Sequence, residues 1–155
     1  MKRDTKIIAV LLAAMGAVVL SAAMLCTFAI AHGASMKWRL LFRLMCHGLP
    51  SRCLTVWNVP MPICARCTAI YAGLFAAVVF FSIVRVRLAF AKALLIGSAA
   101  AMAIDGFTQL AGLRESTNPL RIATGLAVGI AFGIWALATM EKSAESADMR
   151  EFTSS

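Results

Sequence analysis

The chain has 155 residues, 61% of them apolar and only 14% charged, whereas soluble domains are about half apolar and about a quarter charged. A soluble core of this size cannot bury so much apolar surface, which excludes an ordinary soluble domain. The formal net charge is +8, but the 15 Lys and Arg stand singly or in twos and threes beside apolar runs. That is how charges flank membrane spans, so the bilayer is the expected partner and nucleic acid is not.

After a short basic start, Ile7 to Ala31 carries no charged residue, longer than the ~20 residues a helix needs to cross the hydrocarbon. This is the first span. Ala29-Ile30-Ala31 looks like a signal-peptide cleavage site, yet the apolar run far exceeds the roughly 7–15 residues usual for one. Cys26 lies inside the span and reads as a small apolar residue.

Met36 to Met45 has a different character. At helical spacing Trp38, Leu41, Phe42 and Met45 share one face and Arg39 and Arg43 another, which predicts a short helix lying in the headgroup region. Next comes the stretch Cys46-His47-Gly48-Leu49-Pro50-Ser51-Arg52-Cys53, followed by Pro60-Met61-Pro62-Ile63-Cys64-Ala65-Arg66-Cys67-Thr68. Four of the five cysteines and one of the two histidines fall here. Pro50, Pro60 and Pro62 force extended or turning backbone between the cysteine groups.

Residues 64–84 form the second span, Arg85-Val86-Arg87 a short link, and Lys92 opens a third span over 93–113, interrupted by Asp105 and Gln109. Arg114 to Arg121 is a polar turn with Thr117 or Asn118 as N-cap and Pro119 in the first turn. Ile122 to Met140 is the fourth span, and the polar residues 141–155 are expected to be disordered. The predicted fold is all-α: one membrane domain over residues 1–140, a four-transmembrane-helix bundle with a Cys-rich loop and a short interfacial helix between spans one and two. An even number of spans puts both termini on one side. Lys2, Arg3 and Lys6, with Arg85, Arg87 and Lys92, favour the cytoplasm for it, against the cations of the first loop. The expected location is the inner (plasma) membrane of a bacterium.

Cys-x-x-Cys at a helix start has two physical uses. Free N–H groups and the positive helix end stabilise thiolates, and Arg66 adds to the effect. Thiolates bind zinc, and thiolates also attack disulfides. Cys46, His47, Cys64 and Cys67 supply the soft, tetrahedral donor set zinc prefers, with Cys53 as an alternative ligand and His47 as an alternative proton-transfer group. A zinc with an open position could activate water against a lipid-linked or other amphipathic substrate. A redox reading stands beside it, with Cys46 and Cys53 as one pair exchanging with Cys64 and Cys67, a layout similar to membrane enzymes that pass electrons from thiols to quinones. A structural disulfide or structural metal without catalysis is the third reading.

Ser98, Met102, Asp105 and Gln109 share one face of the third span. A carboxylate at this depth is costly unless it faces protein or water, so Asp105 should point inward, with Arg114 or Arg121 as its cation. The cluster is either a structural ion pair or, with His47, a catalytic pocket. Helical rise places Asp105 within about 15 Å of the cysteines. Gly125, Gly129 and Gly133 form a small-residue ridge that serves packing within the bundle or a homodimer.

Cys46-His47, Pro50-Ser51-Arg52, Met61 to Gly73, Asp105 to Gln109, Gly112 to Arg121 and Thr124-Gly125 together resemble the DUF2085 family of predicted bacterial and archaeal membrane proteins. The resemblance runs from about Leu44 to Gly129 and implies Cys46, His47, Arg52, Cys64, Arg66, Cys67, Asp105, Gln109, Arg114, Ser116, Asn118, Arg121 and Gly125 as family positions. It implies no activity. Gly48, Cys53 and Ala69 depart from the family pattern, which sets Cys53 outside a shared site. A looser likeness to the VanZ-like membrane family implies an envelope or lipid role for the polar cluster.

Overall fold

A computed structural model describes residues 3–113 and 115–154. Its helices are α1 (Arg3–Ala31), α2 (Ala65–Ile83), α3 (Leu88–Leu110) and α4 (Asn118–Ser154). A two-stranded hairpin of β1 (Cys53–Val56) and β2 (Val59–Cys64) lies between α1 and α2. All four helices contain stretches long and apolar enough to cross a membrane. Val10, Leu11, Val18 and Leu25 of α1 and Ile96, Ile104 and Phe107 of α3 point outward, a distribution that suits lipid and not water. The four-helix membrane bundle expected from the sequence is the fold.

The centre of the bundle is the contact of α2 with α4, and glycine makes it close. A Cβ on Gly125 would come within 2.5 Å of the Arg66 carbonyl oxygen, and one on Gly129 would collide with the Ile70 carbonyl. From the other side, a Cβ on Gly73 would lie 2.7 Å from the Leu126 carbonyl oxygen. The contacts ascend together along both helices, so α2 and α4 run parallel and their N-termini share one end of the bundle. The ridge of Gly125, Gly129 and Gly133 is therefore occupied by α2, the packing within the bundle that was one of its two expected uses.

Helix ends differ from the expected spans for local reasons. Lys92 lies inside α3, where its long aliphatic stem lets a cation remain near a membrane face. At the other end Gly112 has φ +69°. The Leu113 N–H bonds the Thr108 carbonyl at 3.0 Å and the Gly112 N–H bonds the Gln109 carbonyl at 3.2 Å, a glycine-capped stop. In α4 the Arg121 N–H bonds the Thr117 carbonyl at 3.0 Å, which leaves Thr117 in the cap position and Pro119 in the first turn.

The tail over 141–154 is not disordered but continues α4. It contains no Gly or Pro, the two residues that cost most in a helix interior. Glu141 is also anchored by an ion pair with Arg85.

The cysteine loop has more structure than its prolines led one to expect. Trp57 and Asn58 both have positive φ, 51° and 60°, between the paired residues Val56 and Val59. This is the tight two-residue turn whose twist matches a hairpin. Trp57 is held against Phe28 of α1, edge to face at 5.6 Å. Prolines 60 and 62 survive in β2 because a two-stranded sheet has a free edge where no N–H is needed. The segment Met36–Phe42 is a 3-10 helix and not an α-helix. It exposes Trp38, Leu40 and Leu41, with Leu44 just after it, as a membrane-interface element would.

Candidate metal centre

The hairpin delivers Cys46 to the start of α2. Phe42, Cys46, Met61 and Ile63 pack with Val19 and Ala23 of α1 in one buried cluster, and the Cys64 backbone N–H bonds the Cys46 Sγ at 3.2 Å. Arg39 locks the loop from outside, its Nη2 donating to the carbonyls of Gly48 and Met61, each at 3.0 Å. Gly48 turns there with φ +55°, and a Cβ on it would lie 2.8 Å from the Pro62 carbonyl oxygen. Sequence reasoning assigned Arg39 to the headgroups; nothing in its periodicity marked it as the clamp of the loop.

Cys64 is the N-cap of α2, and its Sγ accepts the Cys67 backbone N–H at 3.5 Å. The sulfurs of Cys46, Cys64 and Cys67 all lie within 4.8 Å of one another. A hydrogen bond from the Cys67 thiol, together with the backbone N–H groups of Cys67 and Arg66, holds the Cys64 thiol well below the usual thiol range despite its burial. Zinc–sulfur bonds of about 2.3 Å put tetrahedral sulfurs about 3.8 Å apart, so small side-chain adjustments would bring the trio onto one ion.

Cys53 stands apart. Its Cα pairs with that of Cys64 across the hairpin, but its thiol donates to the Leu49 carbonyl at 3.1 Å. Burial pushes this thiol up to about 11, against the opposing pull of Arg39. Cys46 thus lies with Cys64 and Cys67, not with Cys53 as the two-pair redox scheme required, and all five cysteines are free thiols. Cys26 remains in α1, partly buried.

A cavity of about 360 Å³ opens beside the sulfurs. Cys46, Cys64, Cys67, His47, Gln109, Arg52, Arg66 and Arg121 border it, with Met45, Gly48 and Leu49 completing the lining. His47 faces this cavity, but the tight trio is made of sulfur alone.

Asp105 is 4% exposed and points inward, as its membrane depth demanded. Among the described residues Arg66 forms an ion pair with it, and Ser116 donates to the same carboxylate oxygen at 2.9 Å. Arg121, expected as a partner, instead donates from Nη1 to the Asn118 Oδ1 at 3.0 Å. It remains within coulombic reach of Asp105, Cys64, Arg52 and Arg66. Arg114 lies outside the described residues. The pairing of Arg66 with Asp105 has a simple cause: α2 and α4 are parallel and touching, so the first turn of α2 presents Arg66 to α3 across the bundle end. Adjacency to the cysteines had assigned Arg66 to their charge. Because Arg66 lies between Cys64 and Cys67, one residue joins the sulfur trio to the buried carboxylate.

No solved structure matches the chain. An uncharacterised protein of Methanothermobacter thermautotrophicus is 40% identical over 94 residues, covering 60% of this chain and 85% of the relative. An uncharacterised protein of Methanocaldococcus jannaschii is 38% identical over 92 residues, 57% of this chain and 59% of the relative's length. Both organisms are archaea, and these matches extend neither to a bacterium nor to the VanZ-like family. The family model described as a predicted membrane protein, DUF2085, matches residues 46–135, more than half of the chain and all of the cavity lining except Met45. The chain belongs to the DUF2085 family of predicted membrane proteins.

Proposed function

We propose that the protein is a multi-pass membrane protein that holds zinc on Cys46, Cys64 and Cys67, beside a polar pocket for an amphipathic substrate. The observation that carries the reading is the trio of sulfurs within 4.8 Å, on a helix N-cap where thiolates are stabilised. Three thiolates fill three positions of a tetrahedron, leaving the fourth to His47 or to water. With water there, zinc supplies an activated oxygen nucleophile; with His47 there, the centre is structural. Gln109 and Arg121 are the pocket groups proposed to orient substrate, with Asp105 acting through Arg66.

Thiol accessibility tests this reading against the redox one. In protein purified in mild detergent, the three thiols are expected to resist alkylation until a chelator is added. Protection that yields to a reductant and not to a chelator would replace zinc with a disulfide and give the CxxC pair to thiol exchange.

In the same reading the termini face the cytoplasm and the cysteine end faces outward, supported by the cations before α1 and between α2 and α3. A reporter fused after Met140 is expected to report the cytoplasm and one inserted at Asn58 the outer face; the reverse pattern would turn the protein over.

A further inference from the structure

Three guanidinium groups border the cavity, and the balance of charge there is incomplete. Arg66 spends one nitrogen on Asp105, and its Nε is buried without a hydrogen-bond partner among the described residues. Arg121 is 6% exposed, and its bond is to the neutral Asn118 Oδ1, although a guanidinium carries five N–H donors. The Arg52 side chain makes no hydrogen bond or ion pair among the described residues. A zinc tris-thiolate carries one net negative charge and Asp105 another, so three arginines leave positive charge over. The N-termini of α2 and α4 meet at the same end of the bundle and add their own partial positive charge.

An anion is the complement of such a site, and the dimensions narrow its kind. About 360 Å³ is at the small end for ligand cavities, enough for a headgroup and not for a whole lipid. Met45 and Leu49 are exposed apolar residues on the rim, and the apolar residues of the Met36–Phe42 segment hold that rim at headgroup depth. Arginine forks match phosphate oxygens in geometry as well as charge. We infer that the cavity binds the phosphate group of an amphipathic molecule, with Arg52, Arg66 and Arg121 on its oxygens and its apolar chain leaving past Met45 and Leu49 into the bilayer. This deepens the reading above by naming the substrate class, and it rests on that reading for what the binding serves.

The test is native mass spectrometry of zinc-loaded protein released from phosphatidylcholine nanodiscs doped with dioleoyl phosphatidic acid, with inorganic phosphate titrated in parallel. Phosphatidic acid is expected to be retained over phosphatidylcholine. Arg52→Gln and Arg121→Gln are each expected to reduce retention by about tenfold, the scale of one lost charge-assisted contact. Arg87→Gln, an equal change of net charge at the opposite end, is expected to leave it unchanged. Arg52 is exposed and outside the four α-helices, at the end of the short 3-10 turn Pro50–Arg52, so its variant reports binding even if Arg121→Gln folds poorly. Equal losses in all three variants, or no loss at Arg52, would overturn the site. Inorganic phosphate binding as tightly as the lipid would overturn the amphipathic occupant. Zinc measured in the same samples separates the two proposals: retained zinc with no lipid selectivity removes the phosphate site alone, and selectivity without zinc removes the metal centre alone.

Discussion

Replacing Cys64 by serine is expected to reduce bound zinc from about one per chain to less than about a tenth of that, because a structural or catalytic zinc depends on each thiolate it holds. The effect should exceed that of any other single cysteine. Cys64 Sγ caps α2, and the Cys64 backbone N–H positions Cys46, so this residue organises the trio as well as belonging to it. Cys53→Ser is the internal control. Its thiol is turned to the Leu49 carbonyl, and serine can make the same hydrogen bond, so zinc content should be unchanged. Elemental analysis of both variants, purified in parallel, decides the matter; equal zinc in the two would remove the centre from Cys46, Cys64 and Cys67.

The second large effect is expected at the buried ion pair. Asp105→Leu leaves the Arg66 guanidinium without its carboxylate and the Ser116 hydroxyl without its acceptor, and stranding one partner of a buried pair costs about 3–5 kcal/mol. Arg66→Met should also be destabilising, because it takes the guanidinium away from a buried carboxylate at membrane depth. The double variant Arg66→Met/Asp105→Leu should be far less damaged than the sum of the two, because neither charge remains. Denaturation of the four proteins in mild detergent measures this as a coupling energy. Strictly additive costs would mean that the two residues are held independently and that the cavity and carboxylate are separate devices.

These two sites were legible in the sequence to different degrees. The spans could be read because a bilayer requires about 20 apolar residues in a row, a property of composition that no neighbour can alter. The inward direction of Asp105 followed from the cost of placing a carboxylate against lipid. Cys64 and Cys67 share a helix start by spacing alone, and their proximity to each other needed no tertiary information.

Partner choice was another matter, because it depends on which helices touch and in which direction. The parallel contact of α2 with α4 gave Asp105 to Arg66, left Arg121 beside Asn118, and consumed the glycine ridge that might have served a second copy. Cys46 and Cys53 are both near enough in sequence to be companions of the CxxC pair. The hairpin separated them: its Trp57-Asn58 turn pairs Cys53 with Cys64 through the backbone while the Arg39 clamp holds the loop in place, so that Cys46 joins the sulfur trio and the Cys53 thiol bonds to Leu49. Composition and periodicity thus determined that this chain crosses the membrane and gathers its cysteines and buried polar residues at one end. Which side chains meet there was decided by the close approach of two helices and the register of one short hairpin, contacts between residues far apart in the chain that no local pattern encodes.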